Sequence, residues 1–369
     1  MTLDEDWLED ALRRAGDEYL RSNPADLHRA RARIHQLRRR RRVKAASGSL
    51  VAAAGAVAVA VVAWPGADVG SDRPRPAAPI ELPSGSVSIP VGDGPTEVAV
   101  GDGAIWVSNG DESTVSRIDP ATNEVAFSVP LTGSPGDLAV GAGGEVWVAN
   151  PELGAVQRID PVTSSTTPDA RIAVAPDATP LDLAIDSFLW VSVIERELVQ
   201  VDLATGEIVR RIDSVRPVNV AARDGAVFVL EADGTVRGLD PLTGEPNAIE
   251  LSFDVEGRGD VHLYGGTVWV AEGDGSELYS VDVEAVSSRI RSYSFRGTYV
   301  EMVEVDDGIL VLSDLGDGTG VLTLIDPDDG GSTELAEIDG TPRDLVRGLD
   351  DLWVSAWGAD AVVRIPSLP

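Results

Sequence analysis

One polar residue recurs at the same place in each of seven repeats: Glu97, Asp137, Asp182, Asn219, Asp260, Glu301 and Asp344. Each stands at the start of a short apolar strand. Six carboxylates and one amide drawn into a ring would supply the several oxygens that a hard cation such as Ca²⁺ or Mg²⁺ takes, or would hold a cationic ligand. Ionised carboxylates crowded together also repel, which raises some of their pKa values. The same column has a structural reading. Each side chain would close its own turn or bond the backbone of a neighbouring repeat, because a position filled in every repeat commonly serves the repeat. The seven are therefore candidate ligand-binding residues with a structural alternative.

Other reactive groups are sparse. The chain has three His and no Cys, so disulfides, thiolate zinc sites and thiol nucleophiles are excluded. His28 and His35 lie on a helical stretch with no third ligand nearby. His262 sits in the strand Asp260-Val261-His262-Leu263, and a lone His is more often a hydrogen-bonded core residue than a base. No Gly-x-Ser-x-Gly nucleophile elbow occurs. Asp326-Pro327-Asp328-Asp329-Gly330-Gly331 resembles a calcium loop, but Gly330 stands where a ligand belongs.

The element that must position the polar column is a strand that keeps returning. It reads Ile105-Trp106-Val107, Val146-Trp147-Val148, Leu189-Trp190-Val191, Val227-Phe228-Val229, Val268-Trp269-Val270, Ile309-Leu310-Val311 and Leu352-Trp353-Val354. The steps between central residues run from 38 to 43 residues. A period near 41 with strand-type patterning predicts a seven-bladed β-propeller of four-stranded blades. An Asp-Pro-x-Thr-Gly turn recurs with decay at Asp119, Asp160, Asp202, Asp240, Asp282 and Asp326. There Asp accepts nearby backbone N–H bonds, Pro presets φ, and Gly or Asn takes the left-handed position. The last repeat holds only three strands. The segment Val87-Ser88-Ile89-Pro90-Val91 matches an outer strand with no blade before it, so an N-terminal strand is expected to complete blade seven and remove an open edge. The propeller is expected over 85–369.

The first eighty residues differ. Residues 1–44 read as two helices, with Leu8, Leu12, Ala15 and Tyr19 on one face and Leu27, Ala30, Ile34 and Leu37 on the other helix. The basic run Arg38 to Arg42 and Lys44 precedes a stretch, 45–64, without a single charge. That length spans a bilayer as a helix, and the basic flank places the N-terminus in the cytoplasm, so a single-pass signal anchor is expected. Residues 65–84 carry Pro65, Pro74, Pro76, Pro79 and Pro83, an extended linker. Charge splits in the same way. The formal net charge is −31, with 12 basic and 8 acidic residues in 1–64 and 18 and 53 in 65–369. So acidic an outer domain excludes nucleic acid and anionic lipid as partners and attracts cations.

The stretches Glu97 to Asn109 and Asp137 to Asn150, each followed by an Arg-Ile-Asp-Pro turn, resemble YVTN and streptogramin-lyase-like propeller repeats over about 285 residues. For the lyases of that group the resemblance implies Mg²⁺ and a site of two His and a Glu. Only His262 is on offer after the N-terminal helices, so the second His of that set has no counterpart here. The layout of cytoplasmic helices, one span and an outer propeller is similar to sensor and envelope proteins of the group. It is also similar to membrane anti-sigma regulators, without their Cys-containing zinc motif.

The expectation is thus a membrane-anchored, extracytoplasmic, non-catalytic propeller that binds a ligand or envelope partner at its mouth. A cytoplasmic protein partner is possible, no cofactor is required, and Ca²⁺ or Mg²⁺ at the acidic ring is the one metal option. The alternative is a metal-dependent lyase or hydrolase with its site at the same mouth.

Overall fold

The computed structural model describes residues 82–160, 165–174, 178–194, 196–253, 259–273, 275–283 and 289–366. The expected helices of 1–44, the span 45–64 and most of the linker lie outside them. Among the described residues no helix is long and apolar enough to cross a membrane.

Seven four-stranded antiparallel sheets follow one another in chain order. The inner strands are Pro95–Gly101, Leu138–Val140, Pro180–Ile185, Pro217–Arg223, Asp260–Tyr264, Thr298–Val305 and Pro342–Gly348. This is the seven-bladed propeller that the repeat predicts, and its closure follows the sequence expectation. The strand Val87–Pro90 joins the outer edge of blade seven, pairing Val87 with Arg364 and Pro90 with Ala361.

The recurring apolar strand is the second of each blade, and its central residue fills the seam to the next blade. Trp106 packs with Leu138 and Val148 of blade two. Trp147 meets Leu183 and Val191 of blade three, and Trp190 meets Val220 and Val229 of blade four. Phe228, Trp269, Leu310 and Trp353 repeat the contact around the ring. Seven seams therefore make seven apolar clusters. A large flat side chain recurs because two twisted sheets meet there and close packing needs bulk. Where sheets approach most closely the opposite applies. A Cβ on Gly348 would stand 2.6 Å from Val100 Cγ1.

The turn column does what its chemistry predicts. Asp119 Oδ1 accepts from Ala121 N at 2.8 Å, and Asp240 Oδ1 from Leu242 N and Thr243 N at 2.8 and 2.9 Å. Asp202 does the same for Ala204 and Thr205. The calcium-loop resemblance at Asp326 is another such turn, with Asp326 Oδ1 taking Asp328 N at 2.8 Å and Gly330 left-handed at φ 79°.

Candidate functional site

The seven polar positions lie at or near the start of the inner strands, and the structure divides them. Four bond the next blade. Asp344 Oδ2 accepts Val98 N at 2.6 Å, Asp137 Oδ2 accepts Leu183 N at 2.5 Å, and Asp182 Oδ2 accepts Val220 N at 2.7 Å. Asn219 Oδ1 accepts Val261 N at 3.0 Å. Each takes the N–H of the residue after the next ring member, so one handshake repeats across four seams. Its energetic reason is that a buried backbone N–H must find an acceptor. The Glu97 carboxylate makes no hydrogen bond among the described residues. Burial, and then the charge of Asp344, push it well above the usual carboxylate range.

The seams that follow Glu97, Asp260 and Glu301 lack this bond among the described residues, and the one between blades five and six carries a side-chain cluster in its place. Met302 N goes to Glu301 Oε1 of its own blade at 2.7 Å. Asp260 and Glu301 turn instead to His262, whose Nε2 lies 2.9 Å from Asp260 Oδ2 and 3.0 Å from Glu301 Oε1. The Tyr299 hydroxyl lies against the same three atoms, at 3.0 Å from Asp260 Oδ2, 3.3 Å from Nε2 and 3.4 Å from Glu301 Oε1. Below them Tyr264 Oη meets His262 Nδ1 at 3.2 Å and donates to the Met302 carbonyl at 3.0 Å.

Strand alternation explains how one strand places three of these groups. Asp260, His262 and Tyr264 are two residues apart, so they share a face, and that face points at blade six. In the other blades the position two after the ring residue holds Ala99, Ala139, Ala184, Ala221, Val303 and Val346. Six aliphatic residues and one His make the seam unique among the seven.

The electrostatics follow from the burial and crowding of these groups. Burial pushes the His262 imidazolium down, but the acidic groups around it, Tyr264, Asp260 and Glu301, outweigh this and raise it well above its ordinary value. Burial raises Asp260 too, yet His262 and the Tyr299 hydrogen bond hold it below the usual range. Glu301 is raised by burial, only partly offset by His262. Around the ring, burial and then the Asp260 charge push Asp182 up to about 7. Burial and then Glu301 push Asp344 up to about 8. Asp137 is raised well above its ordinary value, by burial and then by Asp182.

Asp260 Oδ2, His262 Nε2 and Glu301 Oε1 lie within 4.8 Å of one another, close enough to ligate one ion. Their spacing near 3 Å also matches adjacent ligands on a small divalent ion, since Zn–N and Mg–O bonds of about 2.0–2.1 Å set such edges. Neither tyrosine was among the candidates read from the sequence. His262, read as a lone core residue, sits in this cluster with a side chain 21% exposed. The alternation of Asp260, His262 and Tyr264 was the available signal. Tyr299 had one too: it stands two residues before the ring member, where five other repeats carry Pro95, Pro135, Pro180, Pro217 and Pro342, and the register shift at that point recurs in four of those blades.

No protein-family model matches the chain, and no curated protein matches it in sequence. Solved structures match its fold. Virginiamycin B lyase from Staphylococcus aureus aligns with a TM-score of 0.63 at 14% identity, covering 77% of this chain and 99% of that one. Hydrazine synthase of Kuenenia stuttgartiensis aligns at 0.65 and 15% identity, covering 83% and 99%. The extracellular domain of a one-component system from B. thetaiotaomicron aligns at 0.57 and 15% identity, covering 76% of this chain and 43% of that one. At such identities the likeness shows a shared seven-bladed propeller, and function must be argued from the site.

Proposed function

We propose that this chain is an extracytoplasmic binding propeller, anchored by residues 45–64, whose ligand is a cation received at the seam of blades five and six. One observation carries the reading. Six of the seven second-layer positions are Ala or Val, and only His262 is polar, with Asp260, Glu301 and Tyr299 gathered around it. A column kept for the fold repeats in all blades, whereas a departure at one seam serves something else. A sensor or scaffold role is supported by the likeness to an extracellular domain of a one-component system. The helices of 1–44 would pass occupancy to a cytoplasmic partner. The acidic outer domain speaks for cationic ligands and against nucleic acid.

The test is the melting temperature of the full-length protein during titration with Ca²⁺, Mg²⁺ and Mn²⁺. Binding to the folded state alone raises stability by mass action. A saturable rise that His262→Gln abolishes supports the seam as the site. A flat response to all three ions sinks the cation reading and leaves a protein partner.

A second reading, a metal-dependent lyase or hydrolase, is favoured by the convergence of Asp260, His262 and Glu301. These residues fit a divalent ion, which would supply Lewis-acid polarisation of a substrate carbonyl. The likeness to virginiamycin B lyase names the substrate to try. Metal-dependent loss of virginiamycin B, absent in Glu301→Gln, would establish it. Its persistence unchanged in the presence of protein and metal would reject that substrate.

A further inference from the structure

We propose that Tyr299 is a fourth ligand of the seam, its hydroxyl oxygen joining Asp260, His262 and Glu301 on one cation. This rests on the cation reading above and adds to it a donor of a different kind. The starting point is a departure from the repeat. Where blade six has Tyr299, five other repeats have proline. The inner strand shifts register at this point in blades one, three, four and seven as it does in blade six. The bulge is thus made without a tyrosine, and the fold has no need of the hydroxyl.

Tyr299 is 6% exposed. A phenol buried so far needs a polar partner. Nearby Tyr264 meets that need with a backbone carbonyl, Met302 O at 3.0 Å. Tyr299 Oη has no backbone partner among the described residues. Its polar contacts are the three side chains that could hold an ion, at 3.0 Å from Asp260 Oδ2, 3.3 Å from His262 Nε2 and 3.4 Å from Glu301 Oε1.

These distances fit one coordination polyhedron. Two ligands at right angles on an ion with bonds of about 2.1 Å stand about 3.0 Å apart. Four donor atoms make six pairs, and five of them lie between 2.9 and 3.4 Å. The sixth pair, between the two carboxylates, stays within 4.8 Å. That leaves room for ligands on opposite sides of the ion, about 4.2 Å apart. A hydroxyl oxygen serves a hard cation well, as the Ser or Thr of a phosphate-binding loop does for Mg²⁺. One nitrogen and three oxygens make the oxygen-rich set that Mg²⁺ and Mn²⁺ take.

Mn²⁺ is the probe, titrated into the full-length protein and into Tyr299→Phe. Waters on the bound ion are counted by electron spin echo in H₂O and D₂O. Phenylalanine keeps the ring, which packs beside Phe295 with centroids 6.4 Å apart, and removes only the oxygen. Solvent should fill the vacated place. Mn²⁺ in the variant should therefore carry one more water than in the parent, and affinity should fall about tenfold. Weaker binding with the same water count would make the hydroxyl a brace for its neighbours and overturn the proposal. That outcome leaves the cation reading standing, provided that His262→Gln still abolishes binding. No Mn²⁺ on the parent overturns the cation reading and this ligand together.

Discussion

Asp344 in the last blade accepts the backbone N–H of Val98 in the first, at 2.6 Å and across 246 positions of sequence. The same carboxyl also takes Leu345 N at 2.7 Å. This is the handshake of three further seams, placed where the ring joins its own beginning. Asp344→Ala leaves two inner-strand N–H groups without an acceptor and should lower stability by about 1–3 kcal/mol. Asp344→Asn should cost less, because Asn219 already performs the handshake with an amide oxygen. Chemical denaturation of the two variants checks the order.

Stability should fall as pH rises through neutrality. Asp182 titrates near 7 and Asp344 near 8 in the folded protein. Unfolded carboxyls titrate near about 3.9. The folded state therefore holds more protons between these values, so the stabilisation is complete below about 4 and is lost as pH passes the folded values. His262 adds in the same direction, being raised above its ordinary value. Melting temperatures from pH 5 to 9 should decline, and the step near pH 8 should vanish in Asp344→Asn. A flat profile over that range would show that the ring carboxyls ionise as freely in the folded protein as in the unfolded chain.

Ile89 is 1% exposed and packs into the cluster of Trp353, Val98 and Val362 where blade seven meets blade one. Ile89→Ala should cost about 2–5 kcal/mol, the range for truncating a buried Ile to Ala. Deleting Val87–Pro90 removes the outer strand itself and bares the edge of Ala361–Pro366. Light scattering should then report aggregation.

Gly348 leaves room for Val100, which would be 2.6 Å from a Cβ at that position. Gly348→Ala should destabilise by about 1–3 kcal/mol through overpacking. The double variant Gly348→Ala, Val100→Ala should recover part of that loss if the contact is its cause. Equal losses in single and double variants would assign the cost to the backbone.

The fold was legible because its determinants are local and repeated. One Trp, Phe or Leu per blade fills one seam, and each Asp turn closes on its own backbone, so spacing alone reveals them. The ring positions were legible as a column, and the handshake between blades was one of the two roles the sequence allowed them. The grouping at blades five and six was not. It depends on Asp260 leaving Met302 N to Glu301, and on Tyr299 standing where five other repeats carry proline. Neither can be seen in a strand read by itself. That His262 and Tyr299 meet across the seam shows only when the neighbouring blade is in place.

The closing strand has a mechanical side. Residue 86 leads into four paired residues, Val87 with Arg364 through Pro90 with Ala361, after which Val91 N donates to the Asp360 carbonyl at 3.0 Å. Any tension arriving along the chain from its N-terminal side enters the ring through this one short zip. The other six blades are sewn by continuous chain and feel it only after the zip has parted. Tensile strength is therefore set by this short stretch, and the first piece to yield would be the outer edge of blade seven.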